Sequence, residues 1–523
     1  MLPTPVPDGA SEGATDGVRV VDHLIVGAGF AGLAAAIKLD EAGERDFVVL
    51  DKDSDVGGTW HVNTYPGAEC DVPSQLYSYS FALNPDWSKV YSPQAEIQAY
   101  IRDVAARSGT LDRFVFGTEV TDATWEEDQQ RWIVTTEGPD GPGCYAARTL
   151  VVGAGGLSEP RLPDIDGIDD FAGETFHSAR WNHDADLAGK RVAVIGTGAS
   201  AIQLVPELQR LLAESGGHLD VYQRTPNWVI PRNERAYTAL EKRLFRTVPG
   251  LQRAVRGAVY AQLEARVPVF TRFPALMRVV EAQVKRRIAA AIEDPDLRAA
   301  VTPSYRAGCK RILISNRWYP ALAADNVELV TDAITKLTPS GVVTADGTER
   351  PADVLVVATG FHVTEPPIAT RITGREGRTL AQVWDGAGMA AYKGTTIHGF
   401  PNLFQVVGPN TALGHSSMIY VIESQVRYIV SALTAMRRDA LAVVEPTRAA
   451  QESWTAAVRR RMRPTVWQTG GCASWYLDRF GNNTTLWPGQ TFTFRRHLSA
   501  FDPAAYDVAP RRTSPSTRQE ATA

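Results

Sequence analysis

The sequence predicts an α/β fold with two Rossmann-like dinucleotide-binding domains and a helical insertion in the second. Three observations predict it. The run VDHLIVGAGFAGLAAAIKLDEAG passes from a short apolar strand through a Gly turn into an Ala-rich helix, and DFVVLDKD follows as a second buried strand. KRVAVIGTGASAIQLVPELQRLL repeats the pattern and is followed by the strand HLDVYQR. From about residue 233 to 302 the β-α alternation gives way to helical spacing: Leu240, Leu244 and Val248 recur every fourth residue, as do Leu276, Val280, Val284, Ile288 and Ile292.

These patterns divide the chain. A first dinucleotide-binding segment spans 18–158, and the second unit opens at 159–232. The helical insertion, 233–302, is expected to pack on the second unit. That unit closes at 303–364 with the strands RILIS, VELV and ADVLVVATG, and 365–505 returns to the first domain with Gly-rich loops and the helix SQVRYIVSALTAM. Residues 1–17 and 508–523 are rich in small, polar and Pro residues and are read as disordered tails.

Composition narrows the function class. A hydrophobic content of 44% and charged content of 22% belong to an ordinary globular protein. A net charge of -5 with scattered basic residues gives no electrostatic reason for nucleic acid or anionic membrane as a partner. No apolar run reaches the roughly 18 residues of a membrane span, and the first residues lack the basic and apolar regions of a signal peptide. The four cysteines, Cys70, Cys144, Cys309 and Cys472, lie far apart with no CxxC pair. That spacing argues against a zinc site, a redox dithiol or a disulfide scaffold, and fits a reducing cytoplasm. A small-molecule partner is expected, with no metal; the oligomeric state is left open.

The first Gly-rich turn is Gly27-Ala28-Gly29-Phe30-Ala31-Gly32. Gly27 permits the tight turn, Gly29 lets a pyrophosphate approach the backbone, and Gly32 lets helix pack on strand. The helix N-terminus supplies N–H donors. Asp51 ends the second strand 19 residues after Gly32, where a carboxylate accepts hydrogen bonds from an unphosphorylated ribose, as in FAD or NAD. The second turn, Gly196-Thr197-Gly198-Ala199-Ser200-Ala201, has Ala in the third Gly position. Its following strand ends in Gln223-Arg224-Thr225 with no acid, and a guanidinium and a hydroxyl there can both donate to a 2′-phosphate. The second site therefore leans to NADPH over NADH. On its own, Arg224 could also be a solvated loop cation.

From about residue 20 to 495 the chain resembles the class B flavoprotein monooxygenases, and within them the Baeyer-Villiger monooxygenases. Its most specific element is FAGETFHSARW, which matches the fingerprint FxGxxxHxxxW through Phe171, Gly173, His177 and Trp181, just upstream of the second nucleotide turn. Asn182 follows the Trp where many members carry Pro. Also matching are Gly57-Gly58-Thr59-Trp60 with Tyr65-Pro66-Gly67 and Asp71, the stretch Gly308-Cys309-Lys310-Arg311, and the turn Ala358-Thr359-Gly360. The stretches GPNTALGHSSM and SWYLDRFGNNTTLWPG look most like the branch with hydroxyacetophenone- and ethionamide-oxidising members.

The resemblance implies FAD and NADPH as cofactors and a ketone and O2 as substrates, with an ester or lactone formed through a flavin C4a-peroxide. It implies that Arg311 is the catalytic arginine, that Asp71 lies near the reactive ring and orients it, and that Lys310 helps hold the 2′-phosphate. A fixed guanidinium suits stabilisation of an oxyanion better than Lys, whose proton can be lost. His177 and Trp181 are expected to couple movement of the NADP domain to the flavin site, and Trp487 to lie near substrate and nicotinamide. Trp318, Tyr319 and the segment Ser474 to Trp487 are candidate pocket liners. Two rivals are an N- or S-oxygenase and a reductase passing hydride to a disulfide or quinone; the disulfide version needs a CxxC or equivalent pair beside the flavin, and the sequence shows none.

Overall fold

The structure, a computed structural model, describes residues 17–511. The expected tails fall outside this range over 1–16 and 512–523. One tail boundary is corrected: Tyr506–Pro510 is a strand, paired antiparallel with Leu441–Pro446. Alternate apolar residues, Tyr506 and Val508, gave too short a signal to distinguish it from a loop.

Two sheets organise the molecule. In the first, Val18–Val26 lies parallel between Phe47–Leu50 and Gly141–Val152. The sheet continues antiparallel through Arg131–Gly138 and Glu119–Glu126. Leu403–Gln405 adds to Gly141–Val152 in parallel, so the C-terminal part of the chain returns to this sheet. Phe47–Leu50 reads as an uninterrupted apolar run because every residue in it is buried, as expected for a strand covered on both faces. The long helix Met418–Arg438 packs beside Phe30–Glu41, and their apolar faces share one core.

The second sheet is wholly parallel, in the order Val327–Val330, His218–Tyr222, Arg191–Ile195, Val354–Val357, Glu174–His177. The strand that ends at His177 is therefore an edge of the second sheet, which places the fingerprint beside the turn that follows Val354–Val357. Both sheets have the α/β architecture the two Gly-rich turns imply.

The insertion is helical, with Leu251–Glu264 and Met277–Ala291 as its longest members, but its packing differs from expectation. Val284, Ile288 and Ile292 bury into the core of the second unit. Leu263 instead joins the core of the first, so the insertion packs on both. Leu240, Val248 and Leu276 are exposed, despite their spacing. Periodicity placed Leu240 and Val248 on one stripe and Leu276 at the start of another, and these positions are left uncovered.

The expectation of no disulfide is also corrected: Cys309 and Cys472, 163 residues apart, are bonded. Their sequence spacing carried no signal because tertiary packing alone brings them together. Among the described residues no helix is long and apolar enough to cross a membrane.

Candidate active site

Glycine determines the shape of the first nucleotide turn. Gly27 has φ +100°, and a Cβ there would come 2.7 Å from the carbonyl oxygen of Gly153. A Cβ on Gly32 would lie 1.7 Å from the Gly27 oxygen, a backbone clash that no rotamer relieves. The helix Phe30–Glu41 opens with no side-chain cap and no acid in its first turn, so its N–H groups remain available to an anion. Asp51 braces this turn, accepting from the Ala28 N–H and, at 2.9 Å, from the Asp53 N–H. Burial pushes its pKa up while those N–H donors oppose the rise. Phe30 and Ala31 are buried, Phe30 edge-on to Tyr77 and Tyr79 at 5.5 and 5.2 Å. Gly58 lies against Gly29 so closely that a Cβ on it would sit 3.1 Å from the Gly29 Cα. Thr59 and Trp60 then open a short helix, with the Trp60 indole N–H donating to the Tyr77 hydroxyl at 3.0 Å. An open turn, an uncapped helix start and a second Gly-rich loop pressed against it fit the pyrophosphate and ring of FAD.

The second turn repeats the device. Gly196 has φ +112°, and its Cβ would meet the Ala358 oxygen at 2.5 Å. Gly198 faces open space, and the helix Ala201–Ser215 starts at Ser200 without a side-chain cap or an early acid. Ala201 is fully buried, so Ala suffices where the first turn needs Gly. Thr197 donates through Oγ1 to the Thr225 oxygen at 3.4 Å, and Asn227 Nδ2 donates to the Thr197 oxygen at 2.7 Å. Ala199 extends the turn toward Ser200.

Arg224 is exposed, while Lys310 is half-buried with its ammonium 5.1 Å from the Tyr305 ring. Burial pushes the Lys310 pKa down, and the positive charge of Arg224 adds to the effect, so the two cations are neighbours. Among the described residues neither has a carboxylate partner. Two unpaired cations close together are mutually repulsive, and an anion between them relieves the repulsion. That chemistry fits a 2′-phosphate.

Arg311 and Asp71 form a two-pronged pair. The guanidinium donates from Nε at 2.6 Å and from Nη2 at 2.7 Å to the two carboxylate oxygens, and from Nη1 at 3.2 Å to the Leu413 oxygen. Burial acts to raise the Asp71 pKa, but the Arg311 charge and hydrogen bonds more than reverse it, leaving it below the usual range. Burial likewise opposes the Arg311 charge, and Asp71 restores it beyond the ordinary value. Asp71 and Leu413 use three of the five guanidinium N–H groups, and the Tyr476 hydroxyl lies beside the guanidinium.

The loop that carries Asp71 is held from the second unit. Tyr65 donates to Gln203 Oε1 at 2.9 Å, and Gln203 Nε2 donates to the Glu69 oxygen at 2.8 Å. Arg232 pairs with Glu69, donates to the Cys70 oxygen at 3.1 Å and lies 4.9 Å over the Tyr91 ring. Sequence reading missed Arg232 and Gln203. Both lie outside the motifs, and only the contact between units reveals them.

The fingerprint lies at the same junction. Gly173 packs against Phe171, and a Cβ on it would meet the Asp353 oxygen at 2.3 Å. His177 is buried and accepts at Nδ1 from the Ala179 N–H, and burial pushes its pKa down to about 4. Phe361 packs edge-on to its ring at 5.7 Å, next to the Thr359-Gly360 turn that is hydrogen-bonded to Arg161. Trp181 borders a cavity of about 400 Å³ together with Lys52, His61 and Thr64 of the first unit.

Of the candidate pocket residues, Trp487 is 1% exposed, packed among Trp454, Phe494 and His497 with its indole N–H donating to the Gln490 oxygen, and it borders a cavity of about 300 Å³ with Tyr392, Arg461 and His497. Trp318 and Tyr319 are 3% and 1% exposed in the second core. Aromatic character alone did not separate pocket from core. Tyr476, from the same C-terminal segment, is the residue brought to Arg311. It is buried, the Arg311 charge acts on its hydroxyl, and burial pushes its pKa up to about 12.

Comparison with known proteins agrees with this arrangement. Residues 24–244 match the family model described as pyridine nucleotide-disulphide oxidoreductase. Over 497 residues the chain is 48% identical to a Baeyer-Villiger monooxygenase of Streptomyces coelicolor, covering 94% of this chain and 93% of that protein. The chain belongs to the Baeyer-Villiger monooxygenase family. A second Baeyer-Villiger monooxygenase, from Pseudomonas aeruginosa, is 46% identical and covers 92% of this chain and 90% of its own. Among solved structures, the closed form of cyclohexanone monooxygenase superposes with a TM-score of 0.83 at 30% identity, over 94% of this chain and 100% of that one.

Proposed function

We propose that this Baeyer-Villiger monooxygenase uses FAD and NADPH to insert one oxygen atom of O2 beside a ketone carbonyl, with Arg311 as the catalytic cation and Asp71 as the group that fixes it. The observation that carries the reading is the two-pronged Arg311–Asp71 pair, with the Asp71 loop held by Gln203 and Arg232 of the second unit. When bound and reduced by NADPH, the flavin supplies the O2-activating chemistry. The protein's own residues supply position and charge. Asp71 holds two N–H groups of the guanidinium and Leu413 a third, so the rest of the guanidinium has a fixed direction and needs little reorganisation to meet a developing oxyanion. Arg232 and Gln203 hold the Asp71 loop against the second unit, so movement of that unit is felt at Arg311. His177, neutral at physiological pH, and Trp181 belong to the same linkage rather than to the substrate pocket.

Arg224 and Lys310 select NADPH. The divisions at 158, 232, 302 and 364, a branch allied to hydroxyacetophenone-oxidising members, and a cytoplasmic location where NADPH is supplied are part of the same reading. The test is product analysis of the flavin-loaded protein with NADPH, offering a ketone and a thioether side by side. Ester formation supports the assignment. Sulfoxide with no ester from any ketone overturns it in favour of S-oxygenation.

A further inference from the structure

We propose that Cys309 and Cys472 form a thiol–disulfide exchange site that clamps the C-terminal loop across Arg311. Cys309 is two residues before Arg311, and Cys472 is four residues before Tyr476, whose buried hydroxyl feels the Arg311 charge. The bond therefore ties together the two segments that meet at the proposed catalytic cation. Around it the segments are closely apposed. Arg306 N–H donates to the Gly470 oxygen at 3.0 Å, and a Cβ on Gly470 would come 2.4 Å from the Cys309 Cβ.

The exposure of the two sulfur-bearing residues is unequal. Cys309 is 2% exposed, whereas Cys472 is half-buried in a loop where Gly471, Ala473 and Trp475 are exposed. A thiolate of a dithiol reductant reaches Cys472 Sγ, forms a mixed disulfide there and breaks the bond to Cys309, which leaves as thiolate. The thiolate released at Cys309 then takes up a proton. The reductant's second thiol then attacks the mixed disulfide, so the dithiol is oxidised by two electrons and both protein cysteines end as thiols. Cys70, close enough to Arg311 to feel its charge, is buried and not bonded, and Cys144 lies on a strand of the first sheet.

With the clamp open, the loop loses its covalent tie while Arg311 keeps its hydrogen bonds to Asp71. Tyr476 is then less firmly held beside the guanidinium, and water reaches it more readily. A larger share of NADPH oxidation should end as H2O2 rather than ester. This consequence rests on the assignment of Arg311, whereas the exchange site itself does not.

The experiment uses the flavin-loaded protein, isolated in air, before and after dithiothreitol. Peptide mapping of alkylated, non-reduced protein should show Cys309 linked to Cys472. After reduction, chymotryptic cleavage after Trp475 and Phe480 should quicken roughly 3-fold or more, and the H2O2 fraction per NADPH should rise by about the same factor. The Cys472→Ser variant should match the reduced protein in both and no longer respond to dithiothreitol. Wild-type protein with and without dithiothreitol carries the test if that variant does not fold. Free, separately alkylated Cys309 and Cys472 in the air-isolated protein would overturn the proposal. So would a linked pair whose reduction changes neither cleavage nor coupling. Faster cleavage with unchanged coupling removes the control over Arg311, and if Arg311→Ala also leaves ester formation intact, the failure lies with the assignment of Arg311.

Discussion

Removal of the two cations at the second nucleotide site should change cofactor preference without changing the chemistry. Lys310 and Arg224 are mutually close and have no carboxylate partner among the described residues, so a 2′-phosphate is their natural counter-charge. A hydrogen bond to a charged group contributes about 1.5–3 kcal/mol, and about 1.4 kcal/mol is a factor of ten. Arg224 is exposed and screened, which places Arg224→Ala at the low end, a roughly 10-fold rise in KM for NADPH. Lys310 is half-buried, so Lys310→Ala belongs nearer the upper end, about 100-fold. The double variant should fall short of the product of the two, because both side chains would act on one phosphate. NADH carries no phosphate there, and its KM should change by less than about 2-fold. The assay is initial-rate NADPH and NADH oxidation at fixed ionic strength, repeated at higher salt, where wild-type KM for NADPH should climb more steeply than the double variant's. Equal losses with both cofactors would refute the reasoning.

Arg311→Ala should leave NADPH-driven flavin reduction within a few-fold of wild type while ester formation falls by about 10²–10³, the scale of losing an oxyanion donor; stopped-flow absorbance and product chromatography separate the two. Arg232→Met should slow ester formation without abolishing it, by roughly 10-fold, because the Asp71 loop loses its anchor while Arg311 keeps its partner; a paired kcat and KM determination with ketone checks this. Gly32→Ala gains about 1 kcal/mol of helix propensity, but its Cβ would lie 1.7 Å from a backbone oxygen, so the variant should lose flavin, read from absorbance of the purified protein. His177 has a folded pKa of about 4, below its unfolded 6.5. The unfolded state therefore binds the extra proton first, and this residue's contribution to stability is complete above about 6.5 and is lost as pH falls toward 4. His177→Gln should flatten that part of the Tm-against-pH curve relative to wild type, and identical curves would contradict the neutral, buried assignment.

Local chemistry made much of this molecule legible in advance. Gly27, Gly32 and Gly196 stand where backbone atoms approach too closely for a Cβ, and that requirement is written directly in the residues. Arg224 follows a strand that ends without an acid, and the structure brings it close to Lys310. What escaped depended on distant segments meeting. The Cys309–Cys472 bond, the grip of Arg232 on Glu69 and Cys70, and the approach of Tyr476 to Arg311 join parts of the chain with no shared pattern. Leu240 and Val248 show the opposite failure: correct helical spacing, with no partner surface at that end of the insertion. Trp318 and Tyr319 sit in the second core, because a large aromatic side chain serves a core as readily as a pocket.

The most direct test of the central claim uses 18O2. Flavin-loaded protein given NADPH, a ketone and 18O2 should release an ester or lactone that carries one 18O atom for each NADPH oxidised, and Arg311→Ala should release H2O2 instead. If the wild-type protein consumes NADPH and 18O2 yet returns every ketone unchanged, with H2O2 as the only oxygen product, the account is contradicted.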